Sequence, residues 1–380
     1  MSSSSFLKAG RLALLLGVLV SSLAVVTWTP APSASAKAHG GGGGGGRRWR
    51  VGAPVSYKNL TLFPVTSFSA GAGAGDYVTL DEGIKNGTVV ITERGSGVTA
   101  RAMNRRVAAR ASDDGGTVNQ LALVNKSGKK LLLLAGEVIV GGKQDRIVEA
   151  DLIIPPVSVP VSLNVFCVEA GRWSHRAASH SGPVAAGRGE VSVSAPVQKF
   201  STLGAVAHPK LRAAAQDKKD HGEVWKEVRE NNVKLGTNNS TETYQEVYSN
   251  KEVESRLEDY VAELQKAGAG ATVVGVVVAR NGEFVWADAF ASRELFARYW
   301  PKLLKSYVVD AIGDRTSERV PSIAQAEAYL HAQGGAHTVS GREGVYRLSK
   351  FESPAHAVFR LEDLSLPAPL LLHFNKMQRQ

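Results

Sequence analysis

The stretch 131–173, LLLLAGEVIVGGKQDRIVEADLIIPPVSVPVSLNVFCVEAGRW, constrains this chain more than any other. Its runs of Leu, Val and Ile read as buried strands. Yet Glu137, Gln144, Arg146, Glu169, Arg172 and Trp173 lie in or beside those runs. Ionised groups in apolar strands are costly unless they are paired or given a ligand. Two outcomes are therefore open for the cluster: a binding site, or a scaffold of mutual ion pairs beside a core tryptophan.

The geometry can be taken one step further. If Gly141-Gly142 closes a two-residue turn, Glu137 faces Arg146 and shares one side of the hairpin with it and with Gln144. On a solvent face that pair contributes at most about 1 kcal/mol. Lining a cleft, the three groups supply acceptor, donor and fork for a polar ligand. Glu169 continues the strand side that carries Leu163, Val165 and Cys167, which puts it at the rim of a buried strand. Burial would raise its pKa and suit acid or base work, whereas Arg172 nearby would lower it and make it a fixed acceptor. Gly171 lets the chain turn, after which Arg172 can grip an anion and Trp173 can stack on a base or sugar face. The expected roles are thus catalysis for Glu137 and Glu169 and ligand binding for Gln144, Arg146, Arg172 and Trp173. The ligand would be anionic and nucleotide-like or sugar-like; the rival reading is a non-enzymatic envelope protein in which the same residues hold the sheet.

The N-terminus sets the compartment. Lys8 and Arg11 precede an apolar run at 12–26, and Ala34-Ser35-Ala36 follows, the layout of a secretory signal peptide cleaved after Ala36. The run falls short of the ~20 residues that span a bilayer, so no transmembrane segment is expected to remain after cleavage. The product is expected to be secreted or periplasmic. Residues 37–50 read as a flexible Gly-rich leader, and 51–375 as a single large α+β domain, β-rich to 200 and mixed beyond. The one cysteine, Cys167, permits no disulfide within the chain and reads as a buried structural thiol. The formal charge of +10 drops to +8 once Lys8 and Arg11 leave with the signal. Its basic pairs are scattered among acids, which argues against a nucleic-acid partner.

Strands are expected at 60–65, 88–92, 117–124, 131–140, 146–154 and 161–168, with a short helix at 81–84. The texture then changes. Helical spacing at 210–234 stops at Gly236, and a second amphipathic helix, capped by Thr241 or Thr243, carries Val253, Leu257, Tyr260 and Leu264. The strands 272–280 and 283–290 flank Asn281-Gly282, a type I′ dipeptide, and should form a hairpin with Arg280 opposite Glu283. A broad apolar helix from Leu295 to Val308 is expected to kink or split near Pro301. A helix at 322–333 and strands at 339–348, 357–361 and 370–374 complete an α+β fold with an antiparallel or mixed sheet core.

Other candidates are weaker. Asp288 reads as a helix cap before it reads as a catalytic acid, and His373 as a satisfied core histidine. His175 and His180 lack metal-site spacing. No phosphate-loop, dinucleotide-fold, nucleophile-elbow or Cys-x-x-Cys signature is present, so no cofactor is specified and no metal site expected.

At GEVIVGGKQDR (136–146) and VFCVEAGRW (165–173) the chain resembles the ADP-ribosylglycohydrolase- and rhodanese-phosphatase-superfamily-associated protein domain. Val224-Trp225, WADAF (286–290) and LFARYWPKLLKSY (295–307) fit as well, so the similarity covers most of 55–375. What the resemblance implies is a role near ADP-ribosyl or NAD-derived chemistry. Glu137, Gln144, Arg146, Glu169, Arg172 and Trp173 are the matching positions.

Overall fold

A computed structural model describes residues 49–67, 76–93, 119–170, 199–315, 317 and 319–379. The expected signal, the leader as far as residue 48, Arg172, Trp173, His175 and His180 lie outside the described residues; the last two residues of the expected flexible leader are ordered into the fold instead, Trp49 buried in a core cluster and Arg50 opening the first strand.

Among the described residues the chain folds as α+β, with three sheets. The largest has nine strands in the order β1 (Arg50–Val51), β3 (Leu60–Thr66), β13 (Val273–Arg280), β14 (Glu283–Phe290), β18 (Leu370–Gln378), β17 (His356–Asp363), β16 (Tyr346–Glu352) and β15 (Ala336–Arg342), with β2 (Val55–Tyr57) also on β3. A six-stranded sheet runs β12 (Ser201–Val206), β8 (Glu137–Val140), β9 (Arg146–Val148), β11 (Val157–Cys167), β6 (Gln120–Asn125), β5 (Val89–Glu93). The third joins β10 (Leu152–Ile154), β7 (Lys130–Leu133) and β4 (Tyr77–Thr79). Here β4 and β7 run parallel, while the other pairs are antiparallel. The N-terminal β3 pairs along its length with the late strand β13, so one core cluster draws on both halves of the chain.

The Asn281-Gly282 hairpin forms as expected, with Arg280 opposite Glu283 and both turn residues at positive φ. Side chains alternate along β14, so Trp286, Asp288 and Phe290 share one face while Ala287 and Ala289 share the other. The first face packs on α6 (Arg293–Ala311) and the main core; the second is covered by Trp49 and α7 (Ile323–His331). Ser322 caps α7 with a reciprocal Gln325 contact, and Ser322 is the position from which a helix was expected to start.

Several expected elements differ, each for a physical reason. The runs 131–140 and 146–154 are not single strands. Each breaks, into β7 and β8 and into β9 and β10, and the chain passes from one sheet to another at a corner. Gly136 turns that corner at φ +83, where a Cβ would meet the Arg212 side chain at 2.5 Å. Gly141-Gly142 is not a two-residue turn: Ile139, not Glu137, stands opposite Arg146, because the connection is longer. The 210–234 helix divides into α2 (Pro209–Ala213), a π-helical turn (Ala214–Lys218) and α3 (His221–Leu235). Lys219 lies in the left-handed region between them and Asp220 caps α3. Asn250, not Thr241 or Thr243, caps α5 (Lys251–Leu264), which follows the short α4 (Glu246–Ser249). The helix bearing Pro301 is unbroken over 19 residues, with the proline on its exposed side. The 339–348 strand is two strands of a further hairpin, β15 and β16.

Candidate functional site

The four described members of the sequence-marked cluster are all buried. Glu137 opens β8 at the sheet corner, where it accepts from Leu134 N at 2.8 Å and pairs with Lys302 of α6. Lys302 also reaches Asp81, at 2.7 Å, in α1 (Leu80–Lys85). Burial alone would lower the Lys302 pKa, but the two carboxylates outweigh it and hold the ammonium charged. The other three form a second knot. Arg146 donates to Gln144 O at 2.8 Å and to Glu93 at 3.0 Å. Glu169 accepts from Asp145 N at 3.1 Å, and Gln144 donates to Glu169 O at 3.4 Å. Glu169 is past the end of β11, bridged to Thr243 and buried, so it does not stand at an open rim. Gln144 Oε1 is buried with no hydrogen-bond partner among the described residues. Cys167 is a buried thiol whose pKa burial pushes up, as a structural role requires.

A larger polar network escaped the sequence reading. Asp288 is the hub and caps no helix, since Ser292 performs that task for α6. Arg212 grips it with two hydrogen bonds, of 3.0 and 3.2 Å. Trp286 donates to it at 2.8 Å, and Tyr307 donates as well. His373 of β18 bridges Asp288, at 3.1 Å, and Asp151, at 2.6 Å. Asp151 in turn accepts from Ala135 N at 2.7 Å, tying the network to the sheet corner. Arg212, Asp288 and His373 are 0 % exposed. Burial alone would lower the His373 pKa, yet the two aspartates raise it to about 9, and burial raises Asp288 less than Arg212 and His373 lower it. The network is therefore two cations alternating with two anions. His373 is the satisfied core histidine that its apolar strand suggested.

Trp286 is the wall between that network and the outside. The Arg212 guanidinium stacks 4.5 Å from its ring centre on the inner side. Outside lies a cleft of about 290 Å³, where the turn end of the β13–β14 hairpin and the last residues of β18 meet α2, the π-helical turn and α3. Val285, Trp286 and Met377 supply apolar surface, and Trp286 and Met377 are register partners on neighbouring strands. Seven charged side chains line it. Five are ion-paired: Arg280 with Asp310 at 2.6 Å, Arg379 with Asp217 at 2.8 Å, and Lys218 with Glu223 at 2.6 Å. The remaining two, Lys210 and Glu227, make no ion pair within 4.0 Å among the described residues. Both are half-buried. Burial pushes the Glu227 carboxyl upward more than Lys210 pulls it down. A π-helical turn at the wall is a further mark, since such insertions concentrate at functional sites.

A second cleft, of about 420 Å³ between β12, α5 and α6, is mostly apolar, with Leu203, Val247, Leu257 and Val261. It lacks convergent buried polar groups, so the first cleft is the better site. Among the described residues no group of three His, Cys, Asp or Glu is placed to hold a metal, and no helix is long and apolar enough to cross a membrane.

Sequence reasoning passed over Lys210 as a helix start and Glu227 as helix surface. The available signal was Trp286 two residues before Asp288, an indole and a carboxylate on one face of a buried strand. The matching family covers residues 48–361, which takes in Lys210, Arg212, Glu227, Trp286 and Asp288 but stops before β18. No curated protein and no solved structure matches. With more than four-fifths of its length matched, the chain belongs to the family described as the ARG and Rhodanese-Phosphatase-superfamily-associated Protein domain, ARPP-1.

Proposed function

We propose that this protein binds a small anionic ligand of sugar or nucleotide type in the cleft over Trp286. The observation that carries this is the pairing pattern: five of seven charged liners are neutralised by neighbours, while Lys210 and Glu227 are left to the cleft. A half-buried ammonium that forgoes a counter-ion is held for one supplied from outside. The family description, with its link to ADP-ribosylglycohydrolase, is compatible with such a ligand. In this reading Glu137, Gln144, Arg146 and Glu169 hold the sheet corner on which the cleft elements rest, and Glu227 is the carboxylate placed for any hydrolysis. The signal-peptide-like layout of residues 8–36 supports a site of action outside the cytoplasm as part of this reading.

Thermal unfolding in the presence of sugar phosphates, nucleoside monophosphates, ADP-ribose and neutral sugars tests the proposal. A ligand at 100 times its Kd adds about 2.7 kcal/mol of stability. Phosphorylated compounds are expected to raise Tm and neutral sugars to leave it in place, with the rise lost in Lys210→Met. A panel without any shift, or a shift that survives Lys210→Met, overturns the reading.

The rival reading, a non-enzymatic structural protein, has one observation in its favour. The described charges among those marked by sequence, Glu137, Arg146 and Glu169, are closed into ion pairs and hydrogen bonds within the fold.

A further inference from the structure

We infer that the cleft selects a sugar monophosphate, with Lys210 taking the phosphate and Glu227 accepting a sugar hydroxyl; this rests on the anion-binding reading above. Three features of the cleft narrow the ligand. The first is separation. Lys210 on α2 and Glu227 on α3 line the same cleft without meeting, although opposite charges within reach of one another would ordinarily close into a pair. A ligand that bridges them needs an anionic end and, at a distance from it, a hydrogen-bond donor. The second is size. About 290 Å³ is at the lower edge of the ~300–1,000 Å³ typical of small-molecule pockets. A phosphorylated monosaccharide is of that scale, whereas a complete dinucleotide-like molecule would leave much of itself outside.

The third is charge. Three cations, Lys210, Lys218 and Lys226, act on the Glu227 carboxylate against one acid, Glu230, so a ligand ammonium seated there would face a surplus of positive charge, and a neutral hydroxyl would not. Val285 and Met377 offer apolar surface to the C–H face of a pyranose or furanose ring. Glu227 lies next to Val228 at the margin of the buried stripe of α3, so its backbone is fixed while its carboxylate can turn to the ligand.

Isothermal titration at neutral pH with glucose 6-phosphate, glucose, inorganic phosphate and O-phosphoethanolamine tests the assignment in the wild type, Glu227→Gln and Lys210→Met. Circular dichroism first confirms that each variant is folded. Glucose 6-phosphate is expected to bind more tightly than glucose, inorganic phosphate or phosphoethanolamine. Glu227→Gln should weaken it about tenfold, the scale of one hydrogen bond to a charged group. The same variant should leave inorganic phosphate within about twofold, while Lys210→Met weakens both. Equal affinity of wild type and Glu227→Gln for glucose 6-phosphate overturns the inference and leaves anion binding standing, and so does tighter binding of phosphoethanolamine. If neither phosphate nor glucose 6-phosphate binds, or if Lys210→Met binds them like the wild type, the anion-binding reading falls and takes the inference with it.

Discussion

Two charged regions sit on either side of Trp286 and differ in one respect. Inside, Asp151, His373, Asp288 and Arg212 alternate in sign and pair with one another away from solvent, with the Arg212 Nε alone of their polar atoms left without a hydrogen-bond partner among the described residues. Outside, seven charged side chains line the cleft, and Lys210 and Glu227 make no ion pair among the described residues. Buried charge alone therefore does not mark a ligand site in this protein; under the function proposed above, incomplete pairing does. The inner network connects β14 and β18 of the large sheet to the corner between the other two. It works as a lock between layers, and the lock also fixes the tryptophan that walls the cleft.

The largest effect expected is on the lock. Arg212→Met strips Asp288 of its bidentate partner and leaves His373 as the one cation on a buried carboxylate that Trp286 and Tyr307 only hydrogen-bond, a loss of about 3–5 kcal/mol in urea unfolding. Removing the pair together, as Arg212→Met with Asp288→Leu, should recover part of that loss. A single-variant loss under about 1 kcal/mol would erase the distinction between the two regions. Arg146→Ala probes the cluster that sequence had marked. It removes a donor from the buried Gln144 carbonyl and the cation from the Glu93 carboxylate, which keeps the Lys143 N–H, for about 3 kcal/mol, while ligand affinity at the cleft is unchanged. An affinity change with intact stability would return the site to that cluster.

The pH profile sharpens the contrast further. His373 holds its proton up to about pH 9 in the folded state, above the ordinary value of 6.5. The folded state thus keeps a proton that the unfolded chain releases. The stabilisation is complete below about pH 6.5 and is lost as pH rises through about 9, by at most about 3 kcal/mol. In His373→Gln the slope over that window should flatten. A wild-type protein equally stable at pH 6.5 and 9 would show that His373 is neutral in the fold.

The outline of the molecule was legible because it depends on local chemistry. Asn281-Gly282 takes positive φ cheaply, so the hairpin and its register could be read directly. The stripe of Val253, Leu257, Tyr260 and Leu264 could only be buried on one side, and it is. The corner at Gly136 could not be read, because what forces it is Arg212, 76 residues away in sequence. The same distance hides the lock. Asp288 and His373 each appear as one polar residue in an apolar strand, and nothing local says that they meet across a sheet. Composition marked Glu137, Arg146 and Glu169 as anomalous with good reason, but it cannot distinguish a charge awaiting a ligand from one already paired. Lys210 and Glu227 were missed for the converse reason: on a helix surface they are ordinary until the π-helical turn and the end of β18 enclose them.

The smallest expected effect on stability discriminates best between the two regions. Lys210→Met should change unfolding free energy by no more than about 0.5 kcal/mol, since no ion pair within 4.0 Å among the described residues is lost and only its longer-range attraction to Glu227 and Asp310 goes. Glu227→Gln goes further. Burial raises the Glu227 pKa, and an acid with a raised pKa weakens the fold wherever it is ionised, so the neutral amide should unfold at or slightly above the wild-type midpoint at pH 7. The difference should vanish at a pH low enough to protonate the wild-type carboxyl. Lower stability for the amide would mean that Glu227 already holds a structural partner, and the cleft would then resemble the lock behind it. Equal or greater stability combined with weaker glucose 6-phosphate binding is the pattern of a group kept for its ligand at some expense to the fold.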